Sequence, residues 1–369
     1  MAFVISTGSG YFSQMKLKPI ARRISFCFSL AVSVGCSGAA VATPLDISVM
    51  TQNLYIGADT LSLLQSPDPA TLQTVIQSVT ANDFPARAGA IANEVVQAGG
   101  PLLIGLQEAV VLTSPFGTLD YTQILLDQLA SHGLNYQIAG VHQGLTVSIA
   151  GFSSTDREVV LARTGVPGFS ASGQGFTFQT NVPLPPLPAT VVASAPTFDR
   201  GYVLVNATLD AQPFQFVTTH LDEFHTIAQP LQAAEILAKL ATTDEPQLVV
   251  GDFNANPSEQ TYAEMLAAGF FDTAAVTGAV GPTCCQAADL DNAVSLLRNR
   301  YDYVFERDFS SIDAAFLVGN TPFENVRPRW PSDHAGVVAT VDVPEPSTAT
   351  IFVSAILFLG IRLFRSRRN

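Results

Sequence analysis

The chain has 369 residues, 47% of them hydrophobic, and a formal net charge of −13; the apolar fraction suffices for a large core, and the length allows one large or two small domains. With the basic ends set aside, residues 43–343 hold ten basic and thirty acidic side chains, a formal charge of −20, and Lys239 is their only lysine. Nucleic-acid affinity comes largely from lysine and arginine contacts to phosphates, so this balance argues against tracking long nucleic acid without bridging cations and favours small, exposed phosphoesters.

In chain order, the first segment reads as a secretory signal. Lys16, Lys18, Arg22 and Arg23 form a basic patch, and an apolar run from Ile24 to Val34 follows. Small residues then lead to Ala40-Val41-Ala42, an A-x-A cleavage pattern, so residues 1–42 are expected to be removed, with Met15 as an alternative start. A membrane anchor is the competing reading, but the apolar run is short for a ~20-residue span. Cys36 is a poor lipidation site because Ser33 does not suit the cleavage box.

Asp46 to Asn53 alternates as a strand does. Apolar residues recur at helical spacing from Pro69 to Ala98, and Asp83-Phe84-Pro85 should divide them into two helices. Leu102 to Leu106 is a buried strand, Tyr121 to Ala130 a helix, and Glu158 to Arg163 a strand. Gly, Pro, Ser and Thr dominate Thr164 to Arg200, which reads as a loop or loose hairpin. Val203 to Leu209 and Phe214 to Thr219 form neighbouring strands across a turn at 210–213. Ala228 to Ala241 is helical, Leu248 to Gly251 a strand, and Ser258 to Ala268 a helix. Asp302 to Phe305 and Ala335 to Val341 are late strands. Several consecutive strands lack a helix between them, which points to mixed sheets; two packed sheets with helices outside would bury them all.

Cys284 and Cys285 are the cysteines left after the signal. Disulfides favour Cα atoms ~5.5 Å apart, more than neighbours normally span, so two free thiols are expected, with a strained vicinal disulfide as the alternative. No metal-type cysteine spacing occurs.

Five polar clusters stand at strand ends, where a scaffold presents chemistry. They are Thr51-Gln52-Asn53, Gln107-Glu108, Thr219-His220-Leu221-Asp222, Gly251-Asp252-Phe253-Asn254 and Ser332-Asp333-His334. These residue types suit phosphoester hydrolysis. A hard cation such as Mg²⁺ takes a few carboxylate oxygens and steadies phosphoryl charge. A histidine paired with an aspartate is an oriented base, and amides or a second histidine stabilise developing charge.

Together with Arg300-Tyr301-Asp302-Tyr303, and in this order, the clusters resemble the motifs of the endonuclease/exonuclease/phosphatase (DNase I-like) superfamily over about Asp46 to Val343. The resemblance implies a four-layered α/β sandwich of two mixed sheets flanked by helices over residues 43–343. It also implies a metal-dependent phosphoester hydrolase using Mg²⁺ (or Mn²⁺ or Ca²⁺). By the same resemblance Glu108 is the leading metal ligand, with Asn53 and Asp333 beside it. Asp252 and Asn254 position water and phosphate. His334 is the base, Asp302 its orienter, and His220 stabilises the phosphorane or protonates the leaving group. Arg157 and Asp222 are further substrate-side candidates. Tyr301 departs from the usual isoleucine of the Arg-Ile-Asp-Tyr wording. His132, His142 and His225 read as structural or solvated, and Trp330 either shapes the pocket or packs.

At the C-terminus, Val343-Pro344-Glu345-Pro346-Ser347 precedes an apolar run to Ile361 and a cluster of Arg362, Arg365, Arg367 and Arg368. This order resembles the PEP-CTERM sorting signal of envelope-bearing bacteria over residues 344–369. It implies handling by an exosortase-type machinery, at least transient membrane insertion, and an exported, envelope-attached or secreted protein. The terminal arginines favour the cytoplasmic side. The substrate would be a small phosphodiester, a phospholipid headgroup or a nucleic acid. Two rival readings are an inactive envelope- or matrix-attached binding protein that kept the fold, and a zinc hydrolase, for which the histidine spacing is wrong.

Overall fold

β1 (Leu45–Asn53) forms where the alternation begins, and its last five residues are all buried. The computed structural model describes residues 45–343 except 60, 67, 325 and 326; the segments expected to be a leader and a sorting signal, 1–42 and 344–369, lie outside the described residues. α1 (Leu61–Gln65), α2 (Pro69–Asn82) and α3 (Phe84–Gln97) follow. Asp68 caps α2 by accepting the Ala70 and Thr71 N–H groups, and Pro69 stands in the first turn, where its missing N–H costs nothing. The expected break is at Asp83, whose left-handed φ of 46° ends α2 and admits Pro85 into the first turn of α3.

β2 (Leu103–Gln107) is buried throughout. A hairpin of β3 (Val111–Ser114) and β4 (Gly117–Asp120) leads into α4 (Tyr121–Ser131). Two long strands, β5 (Tyr136–Ile149) and β6 (Phe152–Arg163), precede β7 (Phe169–Thr177) and the short β8 (Val182–Pro183), β9 (Val191–Ala193) and β10 (Thr197–Phe198). Then come β11 (Gly201–Leu209), β12 (Gln212–His220), α5 (Ala228–Leu240), β13 (Gln247–Asp252) and α6 (Gln260–Ala267). β14 (Phe271–Asp272), α7 (Thr273–Thr277), β15 (Asp302–Arg307), β16 (Ser311–Val318) and β17 (Gly336–Val343) complete the order.

One sheet has nine strands along the path β16-β17-β1-β2-β6-β3-β4, with β5 paired to β6 and β9; the other runs β14-β15-β13-β12-β11-β7. Both are mixed, since β1·β2 and β12·β13 are parallel and the neighbouring pairs antiparallel. Val49, Val160, Val205, Phe216 and Val250 fill the space between the sheets. Ile91, Val95 and Leu125 of α3 and α4 cover the outer face of the first sheet, and Ile236, Leu240 and Met265 of α5 and α6 cover that of the second. The result is the four-layered α/β sandwich expected above.

Thr164 to Arg200 is more ordered than its composition suggests. β7 carries Gly173 and Gly175 because backbones meet there. A Cβ on Gly173 would lie 2.3 Å from the Leu204 carbonyl oxygen, and one on Gly175 would lie 2.3 Å from that of Val141. Gly173 lets β7 lie close to β11 in its own sheet, and Gly175 lets it lie close to β5 of the other sheet.

Candidate active site

The strand register assembles the site. In the second sheet, His220 on β12 stands beside Asp252 on β13, and Asp252 beside Asp302 on β15. In the first sheet, Asn53 ends β1 beside Gln107 at the end of the parallel β2. β17 runs antiparallel to β1, so the segment entering it brings Ser332, Asp333 and His334 to the same edge. Gln107 ties the sheets below the site: its amide donates to the Thr218 hydroxyl at 2.8 Å, and its carbonyl accepts from Thr51 at 3.2 Å. The Ser332 hydroxyl donates to the Asn53 carbonyl at 2.7 Å and accepts the His334 N–H at 3.2 Å, locking the histidine's backbone to the end of β1.

Asp252 is the centre. Its Oδ2 lies 3.6 Å from Nε2 of both His220 and His334, and it accepts from Asn53 Nδ2 at 3.2 Å. Its other oxygen accepts the Asn254 N–H at 2.9 Å, which turns the chain at Asn254 through a φ of 48°. His334 Nδ1 meets Asp302 Oδ2 at 2.8 Å. That carboxylate is fully buried, and the Thr283 hydroxyl receives the Asp302 N–H.

The surroundings push the two histidines in opposite directions. Burial works against a charged His334, but Asp302, Asp252 and Asp333 together outweigh it and hold its pKa well above the usual histidine range. For His220, burial acts with the nearby positive charges of Arg200 and His334, and its pKa falls well below that range. Arg200 Nη1 lies 3.0 Å from His220 Nδ1. Arginine can only donate, so Nδ1 accepts and the His220 proton sits on Nε2, which faces Asp252.

Asn53 Nδ2 also donates to Glu108 Oε1 at 3.1 Å, and the second Glu108 oxygen accepts the Ile56 N–H at 2.8 Å. Burial, with Asp333 and Asp156 nearby, pushes the Glu108 carboxyl up to about 8. The carboxyls of Asp333 and Asp252 are raised as well, again by burial first. Glu108, Asp333 and Asp252 line one cleft in which Arg200 is the sole lysine or arginine among the described residues, and Arg200 is already paired with Asp156 at 3.0 Å and Glu223 at 3.3 Å. Oxygen donors that are half-buried at Glu108 and Asp333 and fully buried at Asp252, and short of positive charge, fit a hard divalent cation.

Two expected substrate contacts are used elsewhere. The Arg157 guanidinium donates to Asp120 at 2.5 Å, the Ala109 carbonyl at 2.7 Å and Thr122 at 3.1 Å, which fastens β6 to the start of α4 rather than facing the cleft. Asp222 is fully buried and caps a turn, accepting the N–H groups of Phe224 and His225. Cys284 and Cys285 stand side by side next to the histidine, with Cys285 Sγ 3.8 Å from His334 Nε2. Trp330 packs against Tyr55 and Leu290, and its indole donates to the Asn292 carbonyl. Tyr301 lines the cleft.

Sequence reasoning missed two arginines. Arg200 sets the His220 tautomer, and it lies just before β11, whose register with β12 (Tyr202 opposite Thr219) puts Gly201, not Arg200, opposite His220, so the strand pattern does not mark it. Arg87 is almost fully buried beneath the site and donates to the carbonyls of Leu54, Tyr55, Asn82 and Pro331. It clamps the loop after β1 to the segment before His334, and no local pattern marks it.

A mixed-sheet sandwich with a histidine–aspartate pair and carboxylates gathered at one edge is a DNase I-like architecture. The chain belongs to the Endonuclease/Exonuclease/phosphatase family, whose model matches residues 76–334. Its fold is similar to an endonuclease/exonuclease/phosphatase family protein from Bacteroides thetaiotaomicron, with a TM-score of 0.55 and 16% identity over 82% of this chain and 96% of that one. It is also similar to the mannosyl-6-phosphatase of the same organism, with a TM-score of 0.54 and 19% identity over 80% and 99%. A humanized D. rerio TDP2 gives a TM-score of 0.50 at 17% identity over 80% and 98%. No curated protein matches the chain.

Proposed function

We propose that this protein is an exported, divalent-metal-dependent phosphoester hydrolase, a phosphodiesterase, nuclease or phosphatase, that attacks phosphorus with a water activated by His334. The observation that carries the reading is the row Asp302–His334–Asp252–His220, with one carboxylate oxygen 3.6 Å from both imidazoles and His334 anchored at 2.8 Å to a fully buried aspartate. Asp302 fixes the His334 tautomer, so that Nε2 faces the cleft and takes the proton from the attacking water. Asp252 and Asn254 position that water and the scissile phosphate. Neutral His220 donates its Nε2–H to a phosphoryl oxygen as charge builds there. Glu108, Asn53 and Asp333 would hold Mg²⁺, or Mn²⁺ or Ca²⁺, which when bound neutralises charge on the phosphoryl group.

The rival reading, a binding protein that kept the fold, leaves the joint presence of Glu108, Asp252, Asn254 and His334 without a purpose. The two readings separate on one assay. The purified protein should hydrolyse bis-p-nitrophenyl phosphate, lose that activity in EDTA and regain it with Mg²⁺ or Mn²⁺. Full activity in excess chelator, or none with metal, sinks the reading.

Export belongs to the same proposal and rests on the sequence of the two ends. The mature chain should begin near Thr43, and its tail should be membrane-inserted or cut near Pro344–Pro346 by an exosortase-type enzyme. Mass spectrometry from a native-type host checks this; an intact N-terminus at Met1 or Met15 in a cytoplasmic pool refutes it.

A further inference from the structure

We infer that the substrate carries a long apolar tail beside its phosphoester, and that this tail lies in the groove leading away from the catalytic cluster. The inference rests on the hydrolase reading and narrows its substrate to amphiphilic phosphoesters. The cleft that holds Glu108, Asp252 and His334 does not stop at them. It continues as one cavity of about 930 Å³, within the range of about 300–1,000 Å³ usual for small-ligand clefts.

Away from the carboxylates the lining turns aliphatic. α2 contributes Leu72, Val75 and Val79, the β3–β4 hairpin Leu112 and Leu119, and the turn between β5 and β6 is flanked by Ile149 and Phe152. Two small apolar clusters outside the main core, one around Val75 and one around Ile149 and Val191, both pack against Leu72. They give the groove a shaped apolar wall rather than scattered exposed residues. At the hairpin tip, Phe116 also lines the groove and is 91% exposed, and Leu119 beside it is 41% exposed. Apolar surface gathered in a groove marks a binding site for apolar matter.

Charge excludes the main competitor. A nucleic-acid strand would need cations along its path, yet among the described residues Arg200 is the groove's only lysine or arginine and is occupied by Asp156 and Glu223. A tail without charge needs none. An aromatic ring at the mouth of such a groove suits a molecule drawn from a lipid or micellar surface, where one end is apolar and the other wet.

The test is a chain-length series of alkyl 4-nitrophenyl phosphates, methyl, octyl and dodecyl, kept below their aggregation limits with Mg²⁺ present. The leaving group is constant, so only the tail varies. Each methylene taken fully out of water contributes roughly fourfold, and in an open groove the octyl ester should exceed the methyl ester in kcat/KM by at least about 100-fold. Leu119→Asp, at an exposed position of the groove wall, should cut that ratio about tenfold. A flat series with the methyl ester still hydrolysed overturns the groove and spares the hydrolase reading. Faster cleavage of a single-stranded oligonucleotide than of the dodecyl ester also overturns it. If no ester is cleaved, the hydrolase reading fails and calorimetric titration decides the groove: octyl phosphate must bind more tightly than methyl phosphate, and equal binding overturns the inference.

Discussion

His220 and His334 approach the same oxygen of Asp252 at the same distance, 3.6 Å, and both are buried, yet their pKa values are pushed in opposite directions. The difference lies on the far side of each ring. His334 has the Asp302 carboxylate there, and His220 has the Arg200 guanidinium. Burial alone would make both neutral. A shared anion would draw both toward the charged form. The partner at the second nitrogen decides, and it gives the two rings different work: one able to take a proton in a charge-compensated site, the other a fixed neutral donor.

The comparison breaks most readily at His220. If the ring donates a hydrogen bond to a phosphoryl oxygen, His220→Ala should lower kcat by about 100-fold, and by the same factor for every leaving group. Aryl phosphodiesters of graded leaving-group acidity measure this. A loss that shrinks with good leaving groups would mean that His220 protonates the leaving oxygen, which a neutral imidazole held by Arg200 is not set up to do.

A smaller effect is expected on the other side. Asp302→Asn keeps the shape and removes the charge that orients His334, and partners of this kind typically contribute about 10–100-fold. The loss should appear in kcat rather than KM, because Asp302 touches the base and not the substrate. It should also fall short of the loss from removing His334 itself.

Glu94 on α3 shows what burial does with no strong partner nearby. One carboxylate oxygen is buried without a hydrogen-bond partner, and desolvation raises the group to about 8 despite the Gly319 N–H. Between its ordinary pKa of ~4.5 and about 8, the folded protein keeps a proton that the unfolded chain has released, so this group makes stability fall as pH rises through that window. Glu94→Gln should therefore unfold at a higher temperature than wild type at pH 8 and at the same temperature near pH 4, with kcat unchanged. Thermal melts at the two pH values check it; equal melting at pH 8 would show that the carboxylate is solvated.

Much of this site is readable from the chain because strand ends carry it. Asn53, Glu108, His220, Asp252, Asp302 and His334 each follow or precede an apolar strand, and register in the two sheets brings them to one edge. What escaped depends on tertiary contact. β7 reads as loop because Gly173 and Gly175 look flexible in sequence and are space-savers in the structure. β16 was not expected at all: it is an edge strand, half-exposed along most of its length, with an irregular register between Ile312 and Ala314, so its alternation is blurred. Arg157 sits on a strand near the site and points to Asp120, and strand position alone does not give a side chain's direction. Arg87 lies in an ordinary amphipathic helix, and only the convergence of four carbonyls from three segments makes it a clamp.

The central claim is that His334, oriented by Asp302, is the base in a metal-dependent attack on phosphorus. The most direct measurement is the turnover of His334→Ala on bis-p-nitrophenyl phosphate at saturating Mg²⁺, with circular dichroism to verify the fold. General-base catalysis typically contributes about 10²–10⁴-fold, so kcat should fall by at least about 100-fold in a protein that remains folded and still binds metal. Near wild-type turnover in that folded variant would contradict the account, whatever the fold.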